Sequence, residues 1–264
     1  VIGNSDATKR FTIDTKLSGG FGAGGTKAAV LGDHEKSKSL LKSDVNILYI
    51  HAPDKNTPFE ETLEAVNEIH KTGFFKHFGL SNFAAEDVQK VYDIAKEKGY
   101  ILPTVYQGNY NAFARKQEEL LFPTLRKLNI SFYAYSPIAG GFLTKTREQL
   151  ENGTGRWDKN TPFGQMYHNL YSKATLLDAL DEWHVIAKDE GISPAALAYR
   201  WVKFNSPLKS ENGDALIIGA SKVEQLEDTL QSLQKGPLSE KAVAKIDALW
   251  KKVESEAPLD NYHK

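Results

Sequence analysis

What most constrains this chain is one pattern repeated along it: a short apolar run, a polar residue at its end, a brief turn, then an amphipathic helix. The clearest instance is NILYIHAPD, residues 46–54, in which residues 46–50 have strand character and run straight into His51. Thr57-Pro58-Phe59-Glu60 follows, with Thr57 expected as N-cap, Pro58 as first helical residue and Glu60 completing a capping box. Further strands are expected at 11–15 ending at Lys16, 75–80 ending at Ser81-Asn82, and 104–106 ending at Gln107. Two more are expected at 130–135, running into Ser136-Pro137, and at 215–218, leading to Gly219-Ala220-Ser221. Helical periodicity or capping signals predict helices over 35–41, 58–71, 85–98, 115–128, 176–190, 195–204, from Ser221 onward, and over 239–253.

Short strands without clean alternation are buried on both faces, as in parallel sheets. Strand–helix repetition with no break in composition predicts a single α/β domain over 1–264, either an open doubly wound sheet or a (β/α) barrel. An open sheet gathers its ligand at one switch point, whereas a barrel recruits residues from every strand end. Polar or small residues after all six strands favour the barrel. Two stretches stand outside the repeat. LSGGFGAGGTKAAVLG is glycine-rich but lacks both phosphate-loop spacings, and is read as a mobile loop. Residues 140–173 hold five glycines with weak periodicity and are read as a lid-like loop.

Composition narrows the partners. A net charge of -1 supplies no pull toward nucleic acid or an anionic membrane. With no cysteine, disulfides and thiolate metal sites are excluded. No apolar run approaches the roughly 20 residues of a membrane span, and VIGNSDATKR does not form a signal peptide, so a soluble, cytoplasmic protein is expected. The chain opens on Val1 and its one methionine is Met166, which reads as a trimmed chain whose residues 1–4 close a helix.

The stretches LYIHAPD, GLSNF, LPTVYQGNYNAFAR, FYAYSPIAGGFLT, GRW and IIGASKVEQLE, in that order, carry a resemblance. The chain resembles the aldo-keto reductases, most closely the branch of aflatoxin-aldehyde reductases and fungal norsolorinic acid reductase-like proteins. The resemblance implies an α/β fold of the (β/α)8 TIM-barrel type, here with about six units, NADPH/NADP+ as cofactor, and reduction of a small-molecule aldehyde or ketone; it leaves a homodimer open. It implies that Lys16 and His51 are catalytic, and that Ser81, Asn82 and Gln107 hold the nicotinamide carboxamide. Tyr135 would stack on the nicotinamide ring, with Ser136, Pro137, Ile138, Gly140 and Gly141 along the pyrophosphate. Gly219, Ser221, Lys222 and Gln225 would hold the adenosine 2′-phosphate, and Arg156 an acidic substrate. The chemistry agrees: an alkoxide left by hydride delivery needs a proton and a nearby cation, and a primary amide suits hydroxyl and amide side chains. A phosphate suits a helix N-terminus. Taken singly each residue is ordinary: Lys16 a solvated strand end, Tyr135 core, Ser221 an N-cap.

The chain also departs from the family. The resemblance implies two earlier strand–helix units, the second bearing a catalytic Asp and Tyr in D-T-A-x-x-Y, and no such pattern occurs here. Thr229 stands where the family has an Asn. Two expectations follow: a reductase whose first two units are absent from this sequence, so that this chain is impaired for want of its proton donor, or a truncated, non-catalytic protein of the same fold that binds nucleotide or acts through a partner. Tyr49, Tyr106 and Tyr110 are the candidates for a substitute donor.

Overall fold

The computed structural model describes residues 2–153 and 155–263. A one-turn helix α1 (Ala7–Arg10) precedes β1 (Thr15–Leu17), α2 (Lys27–Leu41), β2 (Val45–Ile50) and α3 (Phe59–Lys71). Next come β3 (Phe75–Ser81), α4 (Ala85–Glu97) and β4 (Pro103–Asn109). Two short helices, α5 (Gln117–Leu120) and α6 (Phe122–Lys127), lead into β5 (Ser131–Tyr135). Then follow α7 (Arg147–Glu151), α8 (Pro162–Tyr171), α9 (Ala174–Asp189), α10 (Pro194–Arg200), β6 (Ala215–Leu216), α11 (Val223–Leu233) and α12 (Glu240–Val253). Every described ladder between named strands is parallel: β1 with β2, β2 with β3, β3 with β4, and β5 with β6. Strands alternating with helices on parallel ladders are the (β/α) arrangement the repeat predicts.

The chain divides into two compact units, Val1–Gln107 with Pro123–Phe132, and Gly108–Phe122 with Tyr133–Lys264. In the first, Lys16 is in register with Tyr49, Tyr49 with Gly79, and Gly79 with Val105, while Ser81 faces Gln107. Side chains alternate along a strand, so Lys16, Tyr49, His51, Gly79, Ser81 and Gln107 share one face. Leu17, Ile50, Leu80 and Tyr106 occupy the other, each 2% exposed or less. Helix α3 buries Leu63, Ala65, Val66 and Ile69, and α4 buries Val88, Val91 and Ala95, the apolar stripes expected of helices laid on a sheet. The second unit has an aromatic core in which the Arg115 guanidinium lies 5.0 Å from the Trp201 ring and 5.7 Å from Trp250, bonded to Glu118 and Asp247.

Several elements differ from the sequence reading, each for a local reason. Strand β1 begins at Thr15, and Phe11 is exposed. Helix α2 starts at Lys27, eight residues before its expected start at 35, capped by Thr26, whose hydroxyl accepts from the Ala29 N–H. Only Val30 and His34 of that helix are buried, so little apolar periodicity marks it. The helix expected over 115–128 is split into α5 and α6; Pro123 lacks the N–H that would continue the ladder. Residues 140–173 are not one loop but carry α7, α8 and 3₁₀ turns at Ala139–Thr144 and Gly155–Trp157. The helix expected over 195–204 closes in a π turn, Trp201–Asn205. Residues Ile2–Asn4 form a 3₁₀ turn. Val1 of the expected helix tail lies outside the described residues, as does Thr154.

The cap of α3 is also different. Pro58 is the N-cap, and Thr57 instead donates its hydroxyl to Asp54 Oδ2 at 2.7 Å. Asp54 Oδ2 also accepts the Gly25 N–H at 2.8 Å, and Oδ1 accepts the Asn56 N–H at 3.0 Å. These three donors, Thr57 first, hold its pKa below the usual carboxylate range. A group with a lowered folded pKa stabilises above its unfolded pKa and loses that contribution as pH falls through the folded one. Asp54→Ala is therefore expected to cost about 1–2 kcal/mol at pH 7, with a smaller difference in acid, read by urea unfolding at both pH values. Equal loss at both would show that the carboxylate charge is irrelevant.

Candidate functional site

In the first unit the shared face of β1 to β4 gathers the residues that the sequence singled out. Lys16 is the middle residue of β1, not a residue beyond it, and its Nζ lies 5.5 Å from the Tyr49 ring centroid. Burial lowers the Lys16 pKa, opposed by the Asp14 carboxylate. His51 follows β2 directly, its N–H donating to the Leu17 carbonyl at 2.9 Å. Burial first, and the Lys16 ammonium second, push its pKa down to about 4. That coupling places ammonium and imidazole in one field, and His51 is neutral at pH 7.

Ser81 ends β3, and Asn82 follows it in the left-handed region at φ 59°, an Asn-tolerant conformation. Both are buried, at 1% and 3% exposure. Asn82 Nδ2 donates to the His51 carbonyl at 2.8 Å and to Ser81 Oγ at 3.1 Å, so it fixes the backbone on which the imidazole is mounted. Gln107 lies within β4, opposite Ser81, two residues before the strand ends rather than beyond it.

The glycine-rich stretch has a part that its composition did not signal. A bridge between Gly19 and Gly24 closes it, and the Gly20 N–H donates to the Ala52 carbonyl at 3.0 Å. This sets the Phe21 ring 4.6 Å from the His51 ring, with Phe21 46% exposed. His51 is expected to titrate near pH 4, and to move toward its ordinary value of 6.5 when Phe21→Ala opens the ring to water. Because the unfolded chain takes up this proton first, its contribution to stability falls as pH drops from about 6.5 toward 4. Histidine NMR titration reads both; a midpoint near 6.5 in the unmodified protein would sink the assignment.

The second unit carries the remaining candidates. Tyr135 ends β5, and its carbonyl accepts the Tyr110 N–H at 3.1 Å. Ser136 at φ 55°, Ala139 at φ 53°, Gly140 at φ 65° and Gly141 at φ 98° are all left-handed, and two of them are not glycine. Such residues cost about 1–3 kcal/mol each and persist where surroundings hold them. Here Asn111 Nδ2 donates to the Ser136 carbonyl at 3.1 Å, the Ala139 N–H donates to the same carbonyl at 2.8 Å, and Pro137 is buried beside Ile138. The turn is closed from within, since the Gly141 N–H also donates to the Ile138 carbonyl at 2.9 Å, and its glycines leave the backbone open to close approach.

Strand pairing continues past β6, where the Ile217 N–H donates to the Ala134 carbonyl at 2.9 Å, so the segment bearing Gly219 leaves the same end as Tyr135. The N-cap of α11 is Lys222, with no side-chain cap bond. Ser221, expected as that cap, instead donates its N–H and its hydroxyl to Gln225 Oε1, each at 3.1 Å. Gly219, Ser221, Lys222 and Gln225 are all exposed, around a helix end that remains open to an anion. Thr229 bonds the Gln225 carbonyl within the helix at 2.8 Å. Arg156 is exposed, its guanidinium 5.9 Å from the Tyr167 ring.

The substitute donors fare differently. Tyr110 is fully buried, its hydroxyl donating to Glu118 Oε1 at 2.6 Å, and burial together with Glu118 raises its pKa well above 10. It lies just past the end of β4, as the sequence suggests, but its side chain is core. Tyr106 donates to the Phe83 carbonyl at 2.8 Å from the opposite face of its strand. Tyr49 lies under the Lys16 ammonium. Among the described residues no group of three or more His, Asp or Glu side chains could hold a metal ion, and no helix is long and apolar enough to cross a membrane.

Parallel (β/α) repeats with polar side chains at the strand ends define the class of barrel-type α/β proteins. A profile of the Aldo/keto reductase family matches residues 2–251, and the chain belongs to that family. It is 41% identical over 259 residues to "Oxidoreductase sirO" of Leptosphaeria maculans, covering 98% of this chain and 79% of that protein. It is 40% identical to "Aldo-keto reductase family 7 member A3" of Homo sapiens, covering 97% of this chain and 80% of the relative. With "Aflatoxin B1 aldehyde reductase member 2" of Rattus norvegicus it shares 37% identity, over 97% of this chain and 72% of the relative. Family and relatives together support an oxidoreductase.

Proposed function

We propose that the chain binds NADPH and reduces aldehydes or ketones to alcohols, with Lys16 and His51 at the reacting carbonyl. The observation that carries this reading is the common face of Lys16, His51, Ser81 and Gln107, with Asn82 bonded beneath His51. NADPH supplies the hydride when bound. The Lys16 ammonium, partly desolvated, stabilises negative charge developing on the substrate oxygen. Neutral His51 offers a ring N–H to that oxygen and orients the carbonyl, Phe21 packs on one side of the ring, and the proton that turns the alkoxide into the alcohol comes from water. Ser81, Asn82 and Gln107 present hydroxyl and amide groups to the carboxamide. The left-handed turn from Ser136 to Gly141 fits a pyrophosphate, and Ser221, Lys222 and the N-terminus of α11 fit a 2′-phosphate. Arg156 meets an acidic group on the substrate.

A second reading, nucleotide binding without turnover, is favoured by the commitment of the Tyr106 and Tyr110 hydroxyls to Phe83 and Glu118. Cofactor preference tests the part the two share. NADPH is expected to bind at least about tenfold more tightly than NADH, from charge-assisted contacts to the extra phosphate. Lys222→Glu should erase most of that difference in calorimetric titrations. Equal affinity of the unmodified protein for both nucleotides would remove the 2′-phosphate assignment.

A further inference from the structure

The second unit contains a clamp that the proposed chemistry does not use. Trp157 is fully buried, and its indole Nε1 donates to the Gly140 carbonyl at 3.1 Å, in the middle of the left-handed turn. The Tyr167 ring closes on the same glycine, where any β-carbon on Gly140 would overlap it. Trp157 and Tyr167 pack at 5.6 Å between ring centroids, and Arg156 lays its guanidinium over Tyr167. His168, one residue along α8, contacts the Trp157 carbonyl through Nε2 at 3.1 Å. At the far end of α8, Tyr171 lies 3.4 Å from Asn111 Nδ2, the group that also bonds the Ser136 carbonyl. The segment bearing Arg156 is thereby fastened to the turn at Gly140 directly and at Ser136 through Asn111. A buried indole whose one donor is spent on a strained turn, next to an exposed arginine, is more than core filling.

We propose that Trp157 is a positioning residue that ties the Ser136–Gly141 turn to Arg156, so that a nucleotide pyrophosphate on the turn and an anionic substrate on the guanidinium strengthen each other's binding. This rests on the reading of the turn as the pyrophosphate site. The physical link is short: displacement of the Gly140 carbonyl moves the indole, and the indole and Tyr167 set the plane on which Arg156 rests. Coupling of two ligands is reciprocal, so it can be read from either side.

The experiment is calorimetric titration of NADP+ into the protein, with and without succinate as a non-reacting dicarboxylate. Succinate is expected to tighten NADP+ binding about fivefold in the unmodified protein. Trp157→Phe keeps a ring but loses the N–H; NADP+ affinity alone should fall about threefold and the succinate effect should vanish. Arg156→Gln should retain NADP+ affinity while losing the succinate effect. If Trp157→Phe unfolds, Tyr167→Leu, which removes the platform and the contact at Gly140, should give the same loss of coupling. An unmodified protein that binds NADP+ with no response to succinate overturns the tie, as does a Trp157→Phe variant that keeps the full response. Absence of any NADP+ binding overturns the pyrophosphate reading itself, a different failure.

Discussion

Assayed with NADPH and 4-nitrobenzaldehyde, the 264-residue chain is expected to turn over about 10²–10⁴-fold more slowly than an aldo-keto reductase carrying D-T-A-x-x-Y. The proposed reason is the proton, not the hydride. Lys16 and His51 share a face, but His51 is neutral at pH 7 and Lys16 is proposed only as a charge stabiliser. A phenol whose pKa a neighbouring ammonium lowers would complete the set, and two of the three candidates are committed elsewhere. Tyr110→Phe is expected to leave any residual rate unchanged while lowering stability by about 2 kcal/mol, through loss of a buried bond to a carboxylate. Lys16→Met should remove what rate remains. Turnover at the level of a complete reductase would refute this, and a rate loss specific to Tyr110→Phe would contradict its burial.

What the sequence made legible follows from period and burial. Residues 46–50 and 75–80 lie within one residue of β2 and β3, because apolar runs bounded by polar turns have few other folded states. The polar residues that end β2 and β3 could be read for the same reason. The start of α2 was hidden because a helix that buries only Val30 and His34 has almost no amphipathic pattern. Residues 140–173 looked irregular because their helices are short and are held by Trp157, Tyr167 and Tyr171, long-range packing that no local spacing announces. Cap choice also escaped: Thr57 is an ideal cap in isolation, but Asp54 with two backbone donors outcompetes the helix for its hydroxyl. Phe21 beside His51 depends on the chain reversal at Gly19 and Gly24, and the composition of the stretch says nothing about where its one aromatic ring will fall.

Gly79→Val is expected to destabilise the protein by about 3 kcal/mol, the upper range for overpacking, and to lower Tm by about 6–12 °C. Gly79 has ordinary backbone for a strand, so the cost is not conformational. It comes from Tyr49, whose ring crosses the glycine so closely that a β-carbon would overlap it. The ring cannot retreat, because Tyr49 is 1% exposed with the Lys16 ammonium on it at 5.5 Å. A side chain at 79 therefore pushes the ring toward Lys16 and couples fold to site. The Lys16 pKa, held down by burial, should rise toward its ordinary 10.5 as the ring shifts and water enters. Adding Tyr49→Leu to Gly79→Val should restore part of the lost stability, since the smaller side chain leaves room for the valine. Residues in contact show such non-additivity, and distant ones do not. Strictly additive losses in that double mutant would mean that the ring is not what excludes a side chain at 79, and the shared face of Lys16, Tyr49 and Gly79 would lose its energetic support.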